Sequence, residues 1–190
     1  TSDGTFTADS ATISVGAWAG ELLKQLNLKL PLNPIRKTFA WYNADEMLYK
    51  ENLFPGFTFQ VGTKSYYGFP SIDGAGLKIG RHDGGDTVNP DEERQPFGDE
   101  DAADLNQFLH TYMPYAGTLK NGKTCMYTMT PDEDFIIDLH PAYKNIAIAA
   151  GFSGHGFKFA SAVGEVLSEL LIKGSTHLDI SPFAIKRFNS

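Results

Sequence analysis

The sequence has one cysteine in 190 residues, so no internal disulfide can form and the fold owes nothing to an oxidising compartment. It has no apolar run near the roughly 20 residues that a membrane-spanning helix needs. It has no excess of positive charge: 16 Lys and Arg stand against 23 Asp and Glu, a formal net charge of -7. The clustered basic patch of a nucleic-acid surface is therefore missing. There is no internal repeat, low-complexity segment, phosphate loop, nucleophile elbow or zinc pattern. His110 and His177 have no partners at metal-ligand spacing, so no metal is expected. There is no initiator methionine either; the chain begins Thr1-Ser2-Asp3-Gly4. What remains is ordinary for a globular protein: 42% hydrophobic and 21% charged residues, enough for a real core in about one domain.

Residues 3–15 read as a hairpin, with Thr5 and Phe6 leading through Asp9 and Ser10 into Ala11–Val15. Gly16-Ala17-Trp18-Ala19-Gly20 then turns into a short helix over 21–26. A strand, a glycine and a helix can present a helix N-terminus to a phosphate; a plain strand-to-helix corner reads equally from these residues. Pro31 and Pro34 mark a connection. Strand-like runs follow at 38–42, 57–61, 65–69 and 76–80, near the rhythm of an antiparallel sheet. A polar Gly/Pro/Asp-rich loop spans 84–100. Leu105, Phe108, Leu109 and Tyr112 recur at helical spacing, predicting a helix over 101–112. Further strands are expected at 123–128, 135–138 and 146–150. The last is a continuous small and apolar run, as in a strand covered on both faces. A long helix should begin near Phe157 and run to about Leu171, with Gly174 at its C-cap.

Three segments could carry chemistry. In Gly151-Phe152-Ser153-Gly154-His155-Gly156, a buried strand enters a glycine-rich turn and then a helix. Glycines there permit close backbone approach to a flat or anionic ligand, and the helix N-terminus supplies N–H donors. Lys158, in the first turn, opposes the helix dipole, which suggests a local need for positive charge; a surface lysine on a capped helix is the alternative. On the strand at 76–82, Lys78, Gly80 and His82 share one face while Leu77 and Ile79 take the other. A lysine and a histidine lining a cavity are candidate acid, base or electrostatic groups, and an exposed strand face is the alternative. In Lys123-Thr124-Cys125-Met126-Tyr127, alternation puts Cys125 and Tyr127 on one face, where a thiolate would be nucleophilic; an inert core thiol is the alternative.

Together these segments resemble the monomeric sarcosine oxidase and N-methyl-L-tryptophan oxidase family of flavoproteins. The resemblance rests on Tyr66-Tyr67-Gly68-Phe69-Pro70, on Gly76 to His82, on Cys125-Met126-Tyr127-Thr128 with Pro131-Asp132-Glu133, and on Gly151 to Phe159. It implies FAD bonded through its 8α carbon to the sulfur of Cys125, and Lys78 near flavin N5, promoting reaction with oxygen. It implies Lys158 as binder of the substrate carboxylate. Tyr67, His82 and Tyr127 become residues that shape and polarise the substrate pocket. Gly154, His155 and Gly156, with Lys158, become backbone and side chains near the flavin. The implied reaction oxidises an N-methyl amino acid to an imine, which hydrolyses to the amino acid and formaldehyde while oxygen becomes hydrogen peroxide.

The family's opening strand and G-x-G-x-x-G turn, which hold the FAD pyrophosphate, have no counterpart here, and neither does its arginine partner for the substrate carboxylate. The expectation is a truncated, C-terminal piece whose own flavin binding and activity are in doubt. A non-catalytic fragment or binding module without FAD is the competing reading. The implied fold is α+β: a mixed or antiparallel sheet with helices on one face, plus remnants of a Rossmann-like FAD domain at both chain ends. Residues 1–28 would close the FAD domain, 29–122 form the substrate domain, and 123–190 form a flavin-contacting segment. The expected partners are a small N-methyl amino acid and oxygen, with no nucleic acid and no membrane. The parent is expected to be a cytoplasmic monomer, and the piece prone to self-association. Residues 37–42 and 81–85 incline the substrate toward N-methyltryptophan, with sarcosine second.

Overall fold

The structure, a computed structural model, describes residues 2–188. In chain order its elements are β1 (Ala11–Ile13), α1 (Ala19–Gln25), β2 (Asn33–Ala44), α2 (Glu46–Tyr49), β3 (Phe57–Val61), β4 (Lys64–Phe69), β5 (Leu77–Arg81), α3 (Asp99–Tyr112), β6 (Ala116–Met129), β7 (Ile136–Leu139), β8 (Ile146–Ala150) and α4 (Ala160–Lys173). They form two compact units, one of Thr1–Pro34 with Tyr127–Ser190 and one of Ile35–Met126. No helix among the described residues is long and apolar enough to cross a membrane.

The unit Ile35–Met126 is a five-stranded sheet in the order β3-β4-β5-β2-β6. The β3–β4, β4–β5 and β5–β2 pairs are antiparallel. Its core is one face of that sheet under one helix. Ala40, Tyr42, Tyr66, Leu77 and Ile79 point down onto Leu105, Phe108, Leu109 and Met113 of α3 and its C-terminal end. The period-two alternation of the strands meets the helical spacing of α3, so each element buries one side. The Tyr66 and Phe108 rings stack 4.2 Å apart. At the start of α3, the Gly98 N–H donates to the Asp101 carboxylate, and Arg36 grips the same carboxylate with two nitrogens at 2.9 and 2.7 Å. The Arg36 guanidinium, more than the backbone donor, holds the Asp101 carboxyl below its ordinary value.

The other unit is a three-stranded sheet, β1-β8-β7, with β1 parallel and β7 antiparallel to β8. β8 is buried along Ala147–Ala150 because the sheet is covered twice. Val163, Val166, Leu167 and Leu170 of α4 lie on one face. Ala19 and Leu23 of α1, with Leu30 and Ile185, lie on the other. α4 ends where Gly174 adopts φ 74° and returns its N–H to Leu170 O at 3.1 Å.

Four expectations need correction. The hairpin over residues 3–15 does not form. Only Ala11–Ile13 is a strand, and it pairs with Ile146–Ile148 instead of with Thr5 and Phe6. An isolated two-stranded ribbon is marginal in water, whereas β8 offers a buried partner. The element at 123–128 is the end of the much longer β6, whose Asn121, Gly117 and Gly122 disguise it as a loop. Gly122 is required there, since a Cβ would lie 2.1 Å from the Phe97 ring. The connection marked by Pro31 and Pro34 is itself partly strand, because β2 begins at Asn33. The helix expected from Phe157 starts as a 3-10 turn, Phe157–Phe159, with α4 proper beginning at Ala160.

The chain end is pinned by Arg187, which bonds the Asp132 carboxylate through Nε at 2.7 Å and Asp134 O at 3.0 Å. The guanidinium holds the Asp132 carboxyl down at about 2. That is below its unfolded value of about 4, so the stabilisation is present above that value and lost as pH falls toward about 2. Arg187→Met should therefore flatten the decline of Tm across that window, measured by circular dichroism, while wild type shows it in full.

Candidate active site

The face of the five-stranded sheet opposite α3 carries the residues singled out on β4, β5 and β6. Register sets Lys78 beside Trp41 on β2 and beside Phe69 on β4. The Lys78 ammonium sits over three rings, 4.4 Å from the centroid of Phe39, 5.2 Å from Trp41 and 5.8 Å from Phe69. Lys123 lies 5.9 Å from the Trp41 ring. An ammonium over ring faces is attracted by their quadrupoles, by about 0.5–1 kcal/mol per contact at exposed sites. Lys78 is thus a fixed cation, held without a carboxylate in any contact described.

Gly80, between Lys78 and His82, leaves space on this face for want of a side chain. The Tyr67 ring takes that space: Tyr67 pairs with Gly80, and a Cβ there would lie 2.9 Å from Tyr67 Cζ and from its hydroxyl. His82 stands edge-on to the same ring, with centroids 6.4 Å apart and planes at 86°. Tyr67 and His82 therefore act as one ring pair, with Gly80 as the floor beneath Tyr67.

Alternation along β6 puts Cys125 on the face of Lys123. It is a half-buried, free thiol. Burial pushes the thiol up from its ordinary range, and the positive charges of Lys37, Lys78 and Arg94 pull the other way without cancelling the rise. The thiolate, which would be the nucleophilic form, is therefore less favoured here than on an exposed cysteine. Sequence reasoning missed Lys37. It is 5% exposed, and its ammonium donates to the carbonyls of His82, Asp83 and Gly84 at 2.9, 2.6 and 3.0 Å. Burial lowers it to about 8, with Asp83 opposing. Its position one residue before an apolar run was the available signal, but nothing in the spacing showed that a distant loop would close over it.

The glycine-rich turn belongs to the other unit. Gly151 and Gly154 have φ of 63° and 82°, and Ser153, a non-glycine, is also left-handed at 47°. Ser153 tolerates this because it is buried and tied down: its N–H donates to Thr128 O at 3.0 Å and its hydroxyl to Gly151 O at 3.2 Å. The expected close backbone approach is real, but protein side chains make it. A Cβ on Gly154 would lie 2.2 Å from the Tyr127 ring, and one on Gly156 would lie 2.3 Å from the Phe152 ring. His155 packs on Phe135 at 5.0 Å and its Nε2 lies 3.2 Å from Glu133 O. Lys158 is exposed and lies in the 3-10 turn ahead of α4, 5.3 Å from its neighbour's ring at Phe159. An apolar groove bordered by Phe152, Gly156, Phe157, Ala160 and Val163 opens at this end of α4.

His177, without a partner at metal-ligand spacing in the sequence, gains neighbours in the structure. Past the Gly174 turn the chain folds back, and His177 Nδ1 comes within 3.0 Å of Glu169, with Glu165 alongside. Glu169 is bonded to Lys173 and Thr176 as well, and Lys173 first among these holds its carboxyl at about 2. These mutual bonds account for the cluster.

With this geometry in hand, comparison with known proteins gives a consistent answer. A family model described as FAD dependent oxidoreductase matches residues 1–170. The chain is 51% identical to monomeric sarcosine oxidase of Arthrobacter sp. over 191 residues, covering 98% of this chain and 49% of that protein. It is 43% identical to N-methyl-L-tryptophan oxidase of Citrobacter koseri, covering 99% of this chain and 50% of that protein. It spans about half the length of these curated relatives. Among solved structures, glycine oxidase from Geobacillus kaustophilus superposes with a TM-score of 0.77 at 22% identity, covering 97% of this chain and 47% of that one, a likeness of fold.

Two glycine substitutions should separate the turn from the helix. Gly154→Ala forces a Cβ into the Tyr127 ring at a left-handed φ, and should lower stability by about 1–3 kcal/mol. Gly164→Ala meets nothing within 4 Å in the middle of α4, and should raise stability by about 0.4–1 kcal/mol. Urea midpoints of the two variants check both signs.

Proposed function

The chain belongs to the FAD dependent oxidoreductase family, and from that premise we propose that it is the C-terminal half of an oxidase of N-methyl amino acids. The observation that carries this reading is the face of the five-stranded sheet. There a half-buried thiol shares its surroundings with the fixed cation Lys78 and the ring pair of Tyr67 and His82. The donor set suits FAD: a lone sulfur able to form one bond, and positive charges able to face a ring system that becomes anionic on reduction.

In this proposal Cys125 holds FAD through its sulfur. FAD, when bound, would supply the two-electron oxidation: it would accept a hydride equivalent from the C–H next to the substrate nitrogen, the amine losing a proton as C–N becomes C=N, with oxygen as the final electron acceptor. Lys78 supplies fixed positive charge where negative charge develops as oxygen is reduced. Cation–π contacts hold its ammonium in place, so little reorganisation accompanies the charge change. Lys158, exposed on its 3-10 turn, binds the substrate carboxylate. Tyr67 and His82 are assigned to shaping and polarising the substrate's surroundings, Tyr127 is assigned a substrate contact from its own unit, and Gly154, His155 and Gly156 are assigned to the flavin. Residues 1–28 would close an FAD-binding domain, 29–122 would form the substrate domain, and 123–190 would contact the flavin. The N-methyl group leaves as formaldehyde after water adds to the imine, and oxygen becomes hydrogen peroxide.

The higher identity to sarcosine oxidases, 51% against 43%, supports sarcosine as substrate over N-methyltryptophan. This outweighs the local likeness at residues 37–42 and 81–85.

The test uses the longer protein that carries this chain. Its mass should exceed the polypeptide mass by one FAD, its yellow colour should precipitate with the protein in acid, and Cys125→Ser should release the colour to the supernatant. Peroxide should form faster with sarcosine than with N-methyl-L-tryptophan. A colourless protein of unmodified mass that yields no peroxide would favour a non-catalytic module.

A further inference from the structure

We propose that Lys37 is a positioning residue, whose buried ammonium gathers the carbonyls of His82, Asp83 and Gly84 and so fixes the strand end that carries His82. The inference rests on the assignment of His82 to the site, and its first test is independent of that assignment.

β5 ends at Arg81, and the chain must turn away immediately after His82. It does so through Gly84 and Gly85, whose φ values of 65° and 115° only glycine adopts cheaply. The turn points three successive carbonyls inward, to within 2.9, 2.6 and 3.0 Å of Lys37 Nζ. Three carbonyl dipoles converging on one point repel one another unless a cation or donor sits there. A tetrahedral ammonium has three donors to match them. The loop closes tightly on the lysine stem: a Cβ at Gly85 would lie 2.7 Å from Arg36 O and 3.2 Å from Lys37 Cδ.

The other side of His82 is pinned as well. Its N–H donates to Ser65 O at 2.7 Å. The Ser65 N–H donates to the Asp83 carboxylate, which Arg81 also holds, at 2.9 and 2.6 Å. The His82 backbone is thus clamped between β4 on one side and Lys37 on the other. A clamped backbone fixes the point from which the imidazole extends, edge-on to Tyr67, whose ring rests on Gly80. Burial above all, with charge repulsion from Arg81 after it, works against the Lys37 cation, and Asp83 only partly offsets them. Its retention at a 5% exposed position is therefore better explained by the loop it orders than by its own stability.

Backbone hydrogen exchange on the 190-residue chain tests the clamp. In Lys37→Met the amides of His82 and Arg36, which bond Ser65 O and Asp86 O on the two sides of the loop, should exchange about tenfold faster or more, while α3 and β3 keep their protection. Lys37→Arg should restore most of that protection, since it keeps charge and donors. Unchanged exchange at His82 and Arg36, or an equal loosening throughout Ile35–Met126, would overturn the proposal. Should Lys37→Met fail to fold, the wild-type chain decides. A Lys37 ammonium signal protected from solvent exchange in nitrogen-edited NMR at pH 6 supports the clamp, and a fast-exchanging one overturns it. In the longer protein, Lys37→Met should lower kcat more than it raises KM for sarcosine, in the same sense as His82→Asn. If wild type forms no peroxide, the functional assignment fails while hydrogen exchange still judges the clamp.

Discussion

A strand offers its side chains to two faces only, and in Ile35–Met126 one of these faces is committed to α3. Ala40, Tyr42, Leu77 and Ile79 must be apolar to meet Leu105 and Phe108. At the margin of that face Arg36, Lys64 and Arg81 reach the α3 carboxylates Asp101 and Asp104, and Tyr67, Lys78 and Cys125 take the opposite face. Lys78, Gly80 and His82 stand together because Leu77 and Ile79 are required elsewhere. The aromatic rings of Phe39, Trp41 and Phe69 follow from the same phase and supply the surface over which a lysine can be held as a cation. The site is in this sense a by-product of the core, with chemistry assigned to positions the core does not use.

The second recurring device is an aromatic ring laid on a glycine. Tyr67 covers Gly80, Tyr127 covers Gly154, Phe152 covers Gly156 and Phe97 covers Gly122. In each case the missing Cβ is what admits the ring. This changes the meaning of the glycine-rich turn. Its glycines are needed first by the protein's own side chains, and a ligand would meet a surface already shaped by tyrosine and phenylalanine. The same device fixes ring orientation by close contact, which suits rigid pocket walls.

Electrostatics ties the proposed roles together. Cys125 is not activated by its surroundings; burial outweighs the three cations near it, and its thiol is raised. Lys37 and Lys78 divide the cationic work. One orders backbone from within the fold, and the other offers charge at the open face.

Composition and periodicity determined much of this protein. The β3 and β8 boundaries, the helix ending at Tyr112, the double covering of Ile146–Ala150 and the Gly174 cap were all legible, because each depends on local pattern or on the intrinsic needs of glycine. So was the shared face of Lys78 and His82, which strand alternation dictates. Tertiary structure alone decided the rest. The partner of Ala11–Ile13 lies more than 130 residues away in sequence, at Ile146–Ile148. The length of β6 depends on Phe97 filling the space over Gly122, and the role of Lys37 depends on a loop 45 to 47 residues further on. Local sequence carries the period of an element and the allowed φ of a residue. It does not carry which distant backbone will supply a ladder, a ring or three carbonyls, since that is settled by the packing of the whole unit.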